Sequence, residues 1–268
     1  MLRSLGPADA LTECPACGHL GRDLARCPAR HRDLAYGGDP GLDRARLALT
    51  HRALVADGPP ASVFEIGYGG GALLRRFLDA GARVGGADPD QLGVEVDEEV
   101  RRRGRLWAGG IETVPEGWFS AELVAGVHVI EHVPDPVATL RTAASVLAPG
   151  GRVVLLTPAA DSWGLRRYGS DWWMLEDPTH VRFFTARSLE LAARRAGFDR
   201  VRVDRLVLDS LSVDVASVAR RRGVGGTRGV LSSRGVLAGV AATAPLVLGL
   251  RALVPGTRPT LRLTASVG

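Results

Sequence analysis

The residues of this sequence that could do chemistry fall into a few groups. The first is the run Val63-Phe64-Glu65-Ile66-Gly67-Tyr68-Gly69-Gly70-Gly71, in which glycines end an apolar stretch that a single carboxylate interrupts. Glycines at such a point let backbone N–H groups and a helix N-terminus come close to a ligand. Asp88 follows 21 residues after Gly67, where a carboxylate can accept both hydroxyls of a ribose. With Ala72 the run also satisfies the dinucleotide pattern G-x-G-x-x-[G/A], so two classes of nucleoside ligand fit this much. Glu65 separates them. A carboxylate inside a buried apolar strand is costly unless it organises the loop or meets a cation. It would repel a pyrophosphate, and it suits a ligand that presents a sulfonium and an amino group. A second group comprises His128, Glu131, His132 and His180; histidine is the natural general base near neutral pH. The third is Cys14-Pro15-Ala16-Cys17-Gly18, a C-x-x-C-G knuckle whose two thiolates can grip one zinc ion.

These residues need elements to hold them. From Ser62 to Thr157 short apolar runs alternate with helical periods, which predicts an α/β fold with a doubly wound parallel sheet. Ser62 to Ile66 reads as a strand stopped by glycines, and Leu73, Leu74, Phe77 and Leu78 then share one helical face until Gly81. Residues 83–87 form a second strand ending at Asp88, and residues 123–127 another ending at His128. Asp135 and Pro136 are N-cap and first-turn residues of a helix through Leu147, closed by Pro149, Gly150 and Gly151. Residues 152–157 read as a fully buried strand, Thr185 caps a later helix that stops at Gly197, and 201–207 and 261–265 alternate like strands near a sheet edge. Asp88, His128, Glu131 and His132 thus collect at the carboxyl edge, where open α/β sheets bind ligands.

The segments FEIGYGGG, GADPD, HVIEHVPDP and LAPGGRVVLLTP resemble, in order and at the usual spacing, the motifs of class I S-adenosylmethionine-dependent methyltransferases. Within that class they look like the broad small-molecule group that includes the ubiquinone and sugar methyltransferases, and DPTHVRFFTARSLELAARRAGF is similar to that group as well. The resemblance covers residues 60–207, with a final strand near Leu261. It implies a Rossmann-like seven-stranded sheet with an antiparallel last strand. It also implies S-adenosylmethionine as cofactor, with Gly67, Gly69 and Gly71 wrapping its methionine portion, Glu65 orienting that loop and Asp88 holding the ribose; Tyr68, Pro89 and His128 are expected to line the same pocket. One departure concerns the acidic residue that often meets the adenine amino group in this family: glycine stands at that position, and Glu112 comes two residues later. Methyl transfer is an in-line displacement, so alignment is the protein's main task, and a hydroxyl acceptor gains from a base. The expected base is His180, with His132 second and Glu131 beside it. The set Glu131, His132, His180 and His128 also resembles the metal site of small-RNA 3′-terminal 2′-O-methyltransferases.

The expected reaction is methylation of a small-molecule acceptor, at a hydroxyl on a sugar or lipid-linked intermediate. RNA ribose methylation with a metal site and a non-catalytic cofactor-binding regulator stand as alternatives. Zinc is expected as a structural ion, held by Cys14, Cys17, Cys27 and His31 in a shortened ribbon, unless that site has decayed. Three cysteines clustered in 268 residues make no disulfide framework, and no apolar leader stretch opens the chain, so a cytoplasmic location is expected.

The balance of 46% apolar and 24% charged residues excludes a disordered chain and a polytopic membrane protein. The net charge of +5 is uneven: all 34 basic residues are arginine, and after Asp214 there are eight arginines and no acid, while the first 214 residues carry −3. That mildly acidic body argues against nucleic acid as partner. The tail directs attention to residues 235–250, sixteen uncharged residues between Arg234 and Arg251, too few to cross a bilayer and interrupted by Pro245. A packed helix inserted before the last strand, or peripheral contact of residues 220–262 with an anionic membrane, with arginines at the headgroups, are the two expectations. The segments expected are a cysteine-containing stretch 1–40, a methyltransferase core 41–208, a basic apolar insertion 209–258 and a final strand 259–268.

Overall fold

The computed structural model describes residues 2–4, 10–25, 40–89, 93–224 and 229–268, which form two compact units. One unit comprises residues 44–157, 189–204 and 262–268. It is built on the strands β4 (Ser62–Ile66), β5 (Arg83–Asp88), β6 (Arg105–Ala108), β7 (Ala121–Val127), β8 (Leu147–Pro158), β10 (Arg200–Leu206) and β11 (Thr260–Ser266). They form one seven-stranded sheet in the order β10-β11-β8-β7-β4-β5-β6, in which β8, β7, β4, β5 and β6 run parallel and β11 is antiparallel beside β10. The doubly wound, Rossmann-like fold expected from the sequence is the fold observed. Because both faces of a parallel sheet are covered by helices, its central strands are enclosed on both sides, and every residue of β4 is buried, Ser62 and Glu65 included.

Helix α1 (Pro40–Leu54) precedes β4, α2 (Ala72–Asp79) follows it, and α3 (Glu98–Arg103) and α4 (Pro136–Ser145) follow β5 and β7. In α2 the expected face of Leu73, Leu74, Phe77 and Leu78 is buried. In α4 Asp135 accepts from the backbone N–H groups of Val137 and Ala138 at 3.0 and 3.1 Å, and Pro136 needs no partner for a donor it lacks. One boundary differs. The sequence predicts a helix through Leu147 closed by Pro149, Gly150 and Gly151, but α4 ends at Ser145 and β8 begins at Leu147, because Ala121 pairs with Leu147 and Leu123 already pairs with Arg152. The extra residues of β8 form a bulge turned by Gly150 at φ 73°.

The other unit comprises residues 1–43, 158–188 and 205–261. Here β1 (Leu2–Ser4), β2 (Ala10–Glu13), β3 (Leu20–Arg22) and β9 (Arg182–Phe183) make a four-stranded antiparallel sheet. Its core contains Leu11, Leu20, Trp172, Phe183 and residues of α5 (Trp163–Tyr168) and α7 (Val213–Arg221). Trp172 and Phe183 are completely buried, so these aromatics are core. Helix α6 (Ala186–Arg195) starts from a reciprocal cap: the Ser188 amide donates to Thr185 Oγ1 at 3.1 Å and the Thr185 amide to Ser188 Oγ at 2.9 Å. Helix α8 (Arg234–Leu253) carries the apolar stretch and contains Pro245. The compact units therefore divide the chain along different lines from the four sequence segments: the cysteine-bearing N-terminal stretch shares a sheet with β9 and a unit with α7 and α8.

Candidate active site

Glu65 is the residue on which the glycine loop turns. It is buried in the middle of β4, and its carboxylate accepts a hydrogen bond from the backbone N–H of Leu74, the third residue of α2. The residue at the N-cap of α2, Gly71, has no side chain to offer, so the strand carboxylate caps the helix instead. The second oxygen, Oε2, is buried without a hydrogen-bond partner. Burial first, and the nearby Asp88 carboxylate second, hold the Glu65 carboxyl well above the ordinary carboxylate range. A buried carboxylate with one orphaned oxygen is what a cationic ligand group would satisfy.

In the loop between β4 and α2, Gly67, Gly69 and Gly71 all take the left-handed conformation that favours glycine. Gly67 has φ 73°, and a Cβ there would stand 2.8 Å from Val129 Cγ2. Gly69 has φ 50° with open space where its Cβ would be, so a side chain would occupy room now left beside the loop. Its backbone N–H donates to Asp88 Oδ2 at 2.8 Å, which ties the loop to the end of β5. Tyr68 is half-buried and covers β5: a Cβ on Gly86 would stand 2.9 Å from its Cδ1. Pro89 is exposed at the end of β5. Glu112 sits after β6 on a single helical turn, Ile111–Thr113, and Thr139 Oγ1 of α4 donates to its Oε1. A Cβ on Gly110 would meet Glu112 Oε2 at 2.9 Å, so the carboxylate folds back over that glycine.

At the end of β7, His128 takes the left-handed conformation at φ 55°, an uncommon state for a non-glycine residue that surrounding bonds must enforce. Its backbone N–H donates to Leu156 O at 2.9 Å. Its Nδ1 lies 3.0 Å from Glu131 Oε1, and Glu131 Oε2 accepts from Thr157 Oγ1 at 3.0 Å. Glu131 is fully buried, with one oxygen on His128 and the other on Thr157. His132 is half-buried, its N–H donating to Val129 O at 2.9 Å within the same turn; the helix that follows is capped by Asp135. Glu65, Gly67, Gly69, Asp88, Glu112, His128, Glu131 and His132 are thus all on the carboxyl side of the seven-stranded sheet, within one unit.

His180 belongs to the other unit. It is buried, and its Nδ1 lies 2.7 Å from Met174 O. A carbonyl can only accept, so Nδ1 carries the proton and a neutral ring has its lone pair on Nε2. Arg22 of β3 supports this residue from 158 positions away: it donates to His180 O at 2.9 Å, Asp177 O at 3.2 Å and Leu175 O at 3.4 Å.

Cys14 and Cys17 stand on the turn between β2 and β3, closed by Gly18 N to Cys14 O at 2.8 Å. Cys27 and His31 lie outside the described residues. Among the described residues no group of three or more possible metal ligands includes a cysteine.

Sequence reading missed Thr139, Thr157 and Arg22. Thr157 had a signal, being a polar residue at the end of an apolar run, the same signal that marked Glu65. Arg22 had none.

Residues 40–203 match the family model described as a methyltransferase domain. The ubiquinone biosynthesis O-methyltransferase of Cereibacter sphaeroides is 30% identical over 160 residues, covering 56% of this chain and 65% of that protein. The enzyme of the same name from Xanthomonas axonopodis pv. citri is 34% identical over 176 residues, covering 58% and 69%. The chain thus spans a little under two thirds of the first of these relatives. Among solved structures, the [4+2]-cyclase SpnF aligns with a TM-score of 0.55 at 17% identity, covering 91% of each chain. The Burkholderia thailandensis 1,6-didemethyltoxoflavin-N1-methyltransferase aligns at 0.51 and 16%, covering 100% and 99%. At such identities the structures speak for the fold.

Proposed function

The chain belongs to the methyltransferase-domain family, of the class I S-adenosylmethionine-dependent type, and on that premise we propose that it methylates a small-molecule acceptor at a hydroxyl, on a sugar or a lipid-linked intermediate. The observation that carries the cofactor is Glu65: a buried carboxylate under a glycine turn, one oxygen capping α2 and the other unpartnered, favours a cationic ligand over a pyrophosphate. S-adenosylmethionine would supply an activated methyl group on a sulfonium. The loop Gly67 to Gly71 would hold its methionine portion, Glu65 its positive charge, Asp88 the ribose and Glu112 the adenine edge. Asp88 already accepts from Gly69 N, so ligand and loop would be ordered together.

An acceptor hydroxyl must lose its proton as it attacks, and the residue best prepared to receive it is His180, whose Nδ1 bond to Met174 O fixes the tautomer with an acceptor at Nε2. His128, locked by Glu131 and Thr157, would line the donor side. The name of the Cereibacter relative supports an oxygen acceptor.

The test is calorimetry of the full chain with S-adenosylmethionine and with NAD, followed by transfer of labelled methyl from the cofactor to catechols and to lipid and sugar extracts. Tight binding of the first alone, with transfer abolished in His180→Ala at unchanged cofactor affinity, is expected. Preference for NAD overturns the cofactor, binding without any transfer leaves a regulator, and retained turnover in His180→Ala removes the base.

A further inference from the structure

Helix α8 is the largest feature that methyl transfer leaves unused. It runs 20 residues without a charged side chain between Arg234 and Arg251, and little of it is covered. On its inner side Val236 and Val240 are buried and Gly239 lies against Val215 of α7, where a Cβ would come within 3.2 Å. Its outer side shows Ala241, Ala242, Pro245, Leu246, Leu250 and Leu253, with Leu246 76% and Leu253 83% exposed. Even the hydroxyl of Thr243 is returned to the helix, donating to Gly239 O at 2.7 Å. By contrast α6 shows solvent Arg187, Arg194 and Arg195.

The charges beside α8 are mixed, with Arg221 paired to Asp171 at 3.0 Å and Glu176 accepting from the Val230 amide at 3.1 Å. Arg220, Arg221 and Arg222 end α7, Arg234 begins α8, and the turn Val230–Ser232 between them packs on both helices. Arg222 and Arg234 are exposed and make no ion pair among the described residues. The other end of the helix differs from the sequence expectation, which put Arg251 at the headgroups. Arg251 is 1% exposed and donates to Asp209 O at 2.7 Å and Ser210 O at 3.1 Å, with Asp214 at 3.5 Å. Arg258 turns back on the helix end, donating to Arg251 O at 2.7 Å, and Arg262 pairs with Asp204 at 2.9 Å. Among the described residues, the exposed arginines of this region that make no ion pair, Arg222 and Arg234, therefore both stand at the N-terminal end of α8.

We propose that α8 lies in the surface of an anionic bilayer, its outer face in the acyl boundary and Arg222 and Arg234 on the headgroups. An apolar face with arginines at one end is what such a surface accepts. At roughly 1.5 Å per residue the helix is long enough to span, but its inner side is docked on α7 and its last turn is pinned by buried Arg251, so it rests on the membrane and does not cross it. The face lacks the aromatic and hydrogen-bonding anchors that dominate protein interfaces, and lipid needs none.

The test is co-sedimentation of the full chain, without cofactor, with vesicles of phosphatidylcholine alone and with added phosphatidylglycerol. Binding to the anionic vesicles, weakened by salt, is expected. The triple variant Leu246→Glu, Leu250→Glu, Leu253→Glu should lower partitioning at least tenfold with the circular-dichroism melt unchanged, and Arg222→Glu with Arg234→Glu should lower it too. Should the triple variant fold poorly, a Leu246→Trp reporter, read as the difference from the wild-type emission of the five native tryptophans, is expected to shift to the blue on adding anionic vesicles. Absence of wild-type binding, equal binding by the variants, or an unmoved Leu246→Trp emission overturns the proposal. So does a wild-type dimer in light scattering that the triple variant makes monomeric, which would give the face to a second copy.

Discussion

Helices α2 and α8 are both rich in leucine, and the fold treats them in opposite ways. In α2 the apolar residues Leu73, Leu74, Phe77 and Leu78 fall on one side and are buried, while Arg75 turns outward to Asp79 at 2.8 Å and Asp97 at 3.4 Å. In α8 the apolar residues go all the way round, and of 20 residues only Val236, Val240 and Arg251 are buried. A helix can offer one side to a core. When the sequence makes every side apolar, either a second layer covers the rest or another solvent does. The glycine loop is positioned by a helix with a finished surface, whereas α8 ends in an unfinished one.

The sharpest way to test that contrast is by stability. Leu74→Ala should cost about 2–5 kcal/mol of unfolding free energy, because the site is completely buried and cannot fully collapse. This can be read from denaturant midpoints. A cost below about 1 kcal/mol would mean that α2 is not the anchor described above.

Glu65→Gln comes next. It keeps an oxygen to cap α2 but removes the charge, and cofactor affinity should fall about ten- to hundredfold, or roughly 1.4–2.8 kcal/mol, by calorimetry. The pH dependence has a definite sign. Burial raises the folded carboxyl above its ordinary 4.5, so the stability this group contributes is complete below about pH 4.5 and is lost as pH rises through the raised value. Over the same window the empty site releases its proton, and affinity for a cationic ligand should climb. In Glu65→Gln both slopes should flatten.

Thr157→Val removes the hydroxyl that donates to buried Glu131, for which about 1–3 kcal/mol is expected, with a loosened His128 visible as altered ring proton shifts. The smallest effect belongs to α8. Leu246→Ala should change stability by less than about 0.5 kcal/mol, since the side chain is already exposed. A loss like that of Leu74→Ala would show a hidden cover over α8.

Much of the donor side was legible because its signals are local. The strand from Ser62, the glycine turn, the α2 face and the Asp135 cap each depend on residues within a few positions, and each is observed where expected. Glu65 could be singled out because a charge in an apolar strand has few explanations. Thr157 carried the same mark and was passed over, since a hydroxyl in a strand is less conspicuous. The bulge in β8 carries no such local signal, because Pro149, Gly150 and Gly151 read as the close of a helix unless the register with β7 is known.

What the sequence determined by itself is the family, the strands β4, β5, β7, β8, β10 and β11 with the helices α2, α4 and α6, and the charged groups on or just after β4, β5 and β7, because periodicity and spacing act over short distances. The tertiary structure alone decided which groups are finished and which are left open. It set Arg22 on the carbonyls beside His180 from 158 residues away, gave Glu65 a helix to cap and an oxygen to spare, and buried Arg251 while leaving Leu246 and Leu253 outside. Partners so distant along the chain leave no periodic trace, and whether an apolar side is covered depends on what folds back upon it.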